Sequence, residues 1–158
     1  MSDGGAVEIR EVDPASPDAV RCVQAYFDEL NRRSDTGFDP AAGISAEPEE
    51  LTPPAGAFLI AYSGDDPIGC GAVKHHDDAP SEIKRMWVAP AARGDGVARR
   101  VLGELERRAI ESGAHATRLE TNRSLVEAIG MYRSAGYTEV APFNDEPFAH
   151  HWFEKQLT

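Results

Sequence analysis

E-I-K-R-M-W-V-A-P-A-A-R-G-D-G-V-A-R-R-V-L-G-E-L, residues 82–105, reads as a strand, a glycine turn and a helix in succession. Its first part reads as a strand: Ile83, Met86 and Val88 are apolar, and Lys84 and Arg85 interrupt the alternation. Pro90 ends the strand, because proline has no N–H to give to a ladder. Arg93-Gly94-Asp95-Gly96 reads as a tight turn. From Val97 onward, Val101, Leu105 and Ala109 recur on one helical face with Ala98 and Leu102 beside it. Strand, glycine turn and helix N-terminus together make an anion cradle. Glycines let the backbone approach a ligand closely, and the free N–H groups and dipole of the helix favour phosphate.

Two familiar phosphate loops do not fit. A dinucleotide fingerprint needs a third glycine where Arg99 stands, and a first strand near the N-terminus. A Walker loop needs Gly-Lys-Ser/Thr, which is absent. Arg93, Gly96 and Ala98 do match the pattern Q/R-x-x-G-x-G/A. The stretch therefore resembles the pyrophosphate loop of the GNAT superfamily of acyl-CoA-dependent N-acyltransferases, and M-W-V-A-P resembles the strand end that leads into that loop. The Arg-Gly-Asp triplet also resembles an integrin-binding tripeptide, but three residues recur by chance too often to carry weight.

The chain has 158 residues, enough for a single domain (residues 1–158) with a proper core and no need of disulfides or metal. Cys22 and Cys70 read as two isolated thiols, one in a helix and one in a strand, which suggests a reducing compartment. No apolar run approaches ~20 residues, and the opening M-S-D-G-G-A lacks the basic and hydrophobic parts of a leader. The expectation is a soluble cytoplasmic protein. A net charge of −11 argues against nucleic acid or an anionic membrane as the main partner. Residues 84–108 nevertheless hold seven of the sixteen Lys/Arg and three of the 27 Asp/Glu, a local +4. A basic segment in an acidic chain suits an anionic cofactor together with a cationic acceptor. Arg107 and Arg108 read as decoration of a solvated helix face.

Taken in order, residues 7–12 alternate as a first strand, and residues 18–33 place Val20, Val23, Phe27 and Leu30 at helical spacing. Residues 34–56, rich in proline, glycine and acid, leave room for a short helix near 48–51 and suggest a wall of the acceptor pocket. Residues 57–63 and 68–76 form a hairpin around Gly64-Asp65-Asp66-Pro67, and a further turn at 77–80 leads into the central strand. After the cradle helix, which ends near Gly113, residues 115–121 give a short strand parallel to the central one. Residues 123–135 carry Leu125, Ala128, Ile129 and Tyr132 on one face and stop at Gly136. Residues 137–140 and 150–157 close the sheet as an antiparallel hairpin.

This order resembles the GNAT fold over essentially the whole chain. Asn122 followed by A-I-G-M-Y-R-S-A-G-Y, residues 128–137, is similar to a second segment of that family. The resemblance implies an α+β fold: a mostly antiparallel sheet, a central parallel strand pair splayed to admit coenzyme A, and helices on both faces. It implies acetyl-CoA as co-substrate, no metal, a primary amine as acceptor and, at family level only, a homodimer. Carried over residue by residue, Met86, Trp87 and Val88 offer backbone groups to the pantetheine arm, with the Val88 N–H toward the thioester carbonyl. Backbone amides of Gly94, Asp95, Gly96, Val97 and Ala98 hold the pyrophosphate with the Arg93 and Arg99 side chains. Asn122 either binds the arm or caps the last helix.

Acyl transfer to an amine poses two proton problems. An amine of pKa ~10.4 is only ~0.1% neutral near pH ~7.4, a handicap of about 4 kcal/mol, whereas one near ~7.8 is hardly handicapped. The departing thiolate also benefits from a proton donor, and Tyr132 occupies the position where the family often supplies one. For the base, Glu82 at the start of the central strand and Glu120 on its neighbour both remain open. The pairs His75–His76 and His150–His151 cannot chelate as units, since adjacent strand residues face opposite ways. The implied activity is acetyl transfer to a small primary amine by direct attack in a ternary complex, with no cysteine placed for a covalent intermediate. A peptide amine as acceptor, a non-catalytic acyl-CoA sensor and a plain nucleotide-phosphate binder are the rival readings.

Overall fold

Residues 6–34 and 47–158 are described by the computed structural model. Strand β1 (Val7–Glu11) leads into helix α1 (Pro17–Arg33), and a single 3-10 turn (Pro48–Leu51) precedes β2 (Gly56–Ser63) and β3 (Asp66–Lys74). Then follow β4 (Ser81–Val88), a 3-10 turn (Pro90–Ala92), α2 (Val97–Glu111), β5 (Ala116–Thr121), α3 (Val126–Ser134), β6 (Thr138–Val140) and β7 (His151–Gln156). The strands form one seven-stranded sheet in the order β1-β2-β3-β4-β5-β7-β6. Every neighbouring pair is antiparallel except β4–β5. The acceptor-wall role expected of residues 34–56 falls mostly on 35–46, outside the described residues.

Strand alternation builds a core layer on each face of the sheet. Ala57, Leu59 and Ala61 of β2 pack with Val97, Val101, Leu102 and Leu105 of α2. Phe58, Ile60 and Tyr62 turn the other way and pack with Ala19 and Cys22 of α1. Phe58, Leu59 and Ile60 are fully buried, and each side chain contributes roughly 1.5–3 kcal/mol by leaving water.

Helix α1 keeps Val23 and Leu30 of its expected face against the core and departs from it at Val20. Ala19, Cys22 and Leu30 are buried, whereas Val20 is 54% exposed. The Tyr62 hydroxyl donates to the Asp18 carboxylate at 2.7 Å, which turns Asp18 toward the sheet. Two residues further on, about 200° around the helix, Val20 must face solvent. Cys22 and Cys70 are also not isolated: both are buried and unbridged, and they belong to the same core layer between α1 and the sheet. Helix α3 starts three residues later than expected, because Asn122 forms a turn of its own. Its side-chain oxygen accepts from Ser124 N–H at 2.9 Å and its carbonyl from Leu125 N–H at 3.1 Å.

Two local features open the middle of the sheet. The β4–β5 ladder holds only Ser81 against Thr117 and Glu82 against Arg118, so the strands part beyond their first residues. On its other side, β4 carries one extra residue: Cys70 pairs with Trp87 but Ala72 with Lys84. The bulge is at Arg85, a non-glycine residue at φ 61°, a conformation that costs roughly 1–2 kcal/mol. Cys70 Sγ donates to the Arg85 carbonyl at 3.1 Å. Gly71 makes room for the bulged chain, since a Cβ there would stand 2.5 Å from Met86 Sδ and 2.9 Å from methyls of Val101 and Leu105.

Candidate active site

A cavity of about 430 Å³ begins at the glycine turn and runs along the end of β4 between α1 and α3. Its outer end is the cradle. Gly94 and Gly96 have φ of 91° and 79°, a left-handed backbone that L side chains rarely adopt. No atom lies within 4 Å of the place where a Cβ would stand on either one, so the space above the turn is open. The first intrahelical bond of α2 runs from Arg100 N–H to the Gly96 carbonyl at 3.1 Å, which leaves the N–H groups of Val97, Ala98 and Arg99 without helical partners. Glycine conformation, unpartnered amides and helix dipole converge on one open site, and a pyrophosphate fits it.

Next inward comes the freed edge of β4. Ala89 N–H reaches back to the Ile68 carbonyl at 2.9 Å. By antiparallel alternation the backbone groups of Val88 must then face away from β3, toward the gap. The Val88 carbonyl there accepts from Arg93 Nε at 3.0 Å, and the Val88 N–H shares that outlook. Met86, Trp87 and Val88 all line the cavity.

Tyr132 stands at the inner end and is buried. Its ring packs edge-on to Tyr137, with centroids 5.9 Å apart, and against Phe153 at 6.4 Å. Among the described residues no hydrogen-bond partner meets its hydroxyl. Burial, with Tyr26 and Glu120 nearby, pushes the phenol well above its ordinary range, so it keeps its proton throughout the neutral range. Tyr26, from α1, lines the same space, and burial raises its phenol to about 12.

The two carboxylates are placed differently. Glu120 lines a smaller recess that shares Tyr26, Met86 and Tyr132 with the main cavity. One Glu120 oxygen accepts from Asn144 Nδ2 at 2.7 Å, and Asn144 Oδ1 in turn accepts from Trp152 Nε1 at 3.0 Å. Glu82 lies at the closed end of the strand pair and borders neither space. It is held by His76 at 3.0 Å and Arg118 at 3.5 Å. Burial alone would raise the Glu82 carboxyl, but the His76 hydrogen bond, with Lys84 and Arg118 nearby, holds it below the usual carboxylate range.

The profile of the Acetyltransferase (GNAT) family matches residues 22–137. The chain belongs to the GNAT acetyltransferase family. The IAA acetyltransferase of Azospirillum brasilense is 32% identical over 122 residues, 77% of this chain and 80% of that one. A solved Klebsiella pneumoniae protein superposes with a TM-score of 0.77 at 25% identity, over 96% of this chain and 98% of that chain. The Salmonella typhimurium protein yncA, solved with its cofactor acetyl-CoA, has the same fold: TM-score 0.68 at 17% identity, over 98% of this chain and 95% of that chain.

Within this GNAT domain, Met86, Trp87, Val88, Arg93, Gly94, Gly96, Val97, Ala98, Arg99 and Tyr132 border one cavity. Asp95 belongs to the turn but does not border that cavity. Asn122 is also absent from the wall: besides Ser124 it holds the Phe148 carbonyl, at 2.8 Å, and so anchors the loop before β7. The Arg93 guanidinium is already engaged, 2.5 Å from buried Glu29 of α1. Glu29 also pairs with Arg33 at 3.0 Å, and Arg33 with Glu127 at 2.9 Å. This clamp ties α1 to the loop and to α3 along the cavity wall. Sequence reading missed Tyr26, Glu29 and Arg33. The Glu29–Arg33 spacing of four is visible in the sequence, but so is that of any solvent-exposed helical pair. The histidines are spread out: His75 with Ser81, His76 with Glu82, His115 with Thr158 and His151 with Glu139.

Proposed function

We propose that this acetyltransferase moves an acetyl group from acetyl-CoA to the primary amine of a small molecule, by direct attack with both substrates bound. One observation carries the reading: a single continuous cavity joins the glycine cradle, the freed β4 edge and Tyr132, whose hydroxyl meets no partner among the described residues. Acetyl-CoA supplies an acyl thioester, the electrophile for an amine. The chain's own groups do the rest. Amides at the start of α2 hold the pyrophosphate, with Arg99 beside them and Arg93 reached by exchange with Glu29. The Val88 N–H polarises the carbonyl under attack. Tyr132 donates its proton to the leaving sulfur, a contribution of typically ~10²–10⁴-fold.

For the base we favour Glu120 over Glu82. Glu120 shares the inner recess with Tyr132, whereas the Glu82 carboxylate is committed to His76 and Arg118. Thiol release from acetyl-CoA, measured over a panel of small amines, tests the proposal. Amine-dependent release with accumulation of the N-acetyl product is the expected result. Coenzyme A binding without turnover of any amine would contradict it and favour a sensor.

A further inference from the structure

The recess off the main cavity has a volume of about 50 Å³, and its polar wall comes from Lys84, Arg85, Glu120 and Thr121 with the phenols of Tyr26 and Tyr132. Two cations and one carboxylate therefore share a space the size of a small functional group. The Lys84 side chain is only 6% exposed, and its one ion pair among the described residues is long, 3.8 Å to Glu120. No hydrogen bond to it is formed by any described residue. Arg85 lies over the Phe27 ring, its guanidinium carbon 5.1 Å from the centroid, and meets no carboxylate among the described residues. Glu120 pairs with Lys84 and not with Arg85, and its other oxygen takes the Asn144 amide.

Buried charges are ordinarily paired, because an unpaired one forfeits its hydration without return. Lys84 and Arg85 are brought together by the bulge at Arg85, which costs backbone strain and re-aims the strand next to the site. Lys84 is buried with one long ion pair among the described residues, and half-buried Arg85 has none; in a recess that adjoins Tyr132 the two together offer a seat to an anion that arrives with the substrate.

We propose that the acceptor is an amine bearing a carboxylate, an amino-acid-type zwitterion. Its carboxylate sits between Lys84 and Arg85, and its amine lies toward Glu120 and the mouth where Tyr132 stands. The inference rests on the acyl-transfer reading for its purpose, though not for its binding. The overall acidity of the chain draws a cationic amine inward; the local cations then select among amines.

The test pairs common α-amino acids with the amines that remain when the carboxylate is removed. Calorimetric titration into the coenzyme A complex and thiol release from acetyl-CoA are read in parallel, for the natural chain and for Arg85→Gln. At least one amino acid should exceed its decarboxylated partner by 10-fold or more in affinity and in kcat/KM. Arg85→Gln should reduce that preference about 10- to 100-fold, the range for a lost charge-assisted hydrogen bond, and leave acetyl-CoA affinity in place. Carboxylate-dependent binding without thiol release supports the anion seat and contradicts acyl transfer. Thiol release with amines indifferent to the carboxylate overturns the seat and leaves acyl transfer standing. A preference that survives Arg85→Gln unchanged, or no binding by any amino acid, also overturns the seat.

Discussion

Tyr132→Phe separates chemistry from packing more cleanly than any other single change in this chain. The substitution removes one oxygen and keeps the ring against Tyr137 and Phe153. Because its loss breaks no hydrogen bond among the described residues, stability should change by less than about 1 kcal/mol. At roughly 2–4 °C per kcal/mol for a domain of this size, that is a small shift in Tm. Turnover should fall by ~10²–10⁴-fold if the phenol protonates the leaving sulfur, with acetyl-CoA Kd held within about 3-fold. Tyr137 is the control. Its hydroxyl lies 2.6 Å from Thr117 Oγ1 and donates to Glu106 at 2.9 Å. Tyr137→Phe should therefore cost about 1–3 kcal/mol of stability and leave kcat nearly untouched. Steady-state thiol release, calorimetry and thermal melts on the three proteins suffice. A Tyr132→Phe enzyme with kcat within about 3-fold of the natural chain would refute the proton-donor role.

Three further outcomes follow from particular contacts. Gly71→Ala pushes a methyl toward Met86, Val101 and Leu105 at once, so urea denaturation should show a loss of about 1–3 kcal/mol; an unchanged midpoint would mean the bulge is not wedged as described. Glu29→Gln removes the anion that occupies Arg93, and acetyl-CoA should bind about 3- to 10-fold tighter by calorimetry; weaker binding would show that the clamp orders the cradle rather than competing with it. The Glu82 carboxyl is held below its unfolded pKa of ~4.3, so its contribution to stability is present above that pH and is lost as pH falls through the folded pKa. Stability of Glu82→Gln should accordingly fall less between about pH 6 and about pH 3 than that of the natural chain, and parallel pH profiles would remove the pairing from the account.

The cradle is legible from sequence because everything it needs is local. A strand stopped by Pro90, two glycines at left-handed φ and a helix started at Val97 all follow from neighbouring residues. The same holds for Gly136, whose φ of 102° ends α3. The opening beside the cradle depends on distant partners and is not legible. Arg85 carries no residue-type signal for a left-handed backbone; the bulge exists because Gly71, on another strand, leaves space for it. The exposure of Val20 is not legible for the same reason: Tyr62, 44 positions from Asp18, orients the first turn of α1. Arg93 falls in the local motif, but its engagement with Glu29 spans 64 positions, beyond the reach of any local pattern.

We propose that the turn at residues 93–98 grips the diphosphate of acetyl-CoA, and the rest of the mechanism depends on it. Hydrogen exchange at the backbone amides of residues 94–99, followed by mass spectrometry with and without millimolar acetyl-CoA, tests it most directly. Slowed exchange is expected there, accompanied by a calorimetric binding heat, with both abolished in Gly96→Glu. Unchanged exchange across the turn and no binding heat in the natural chain would contradict it.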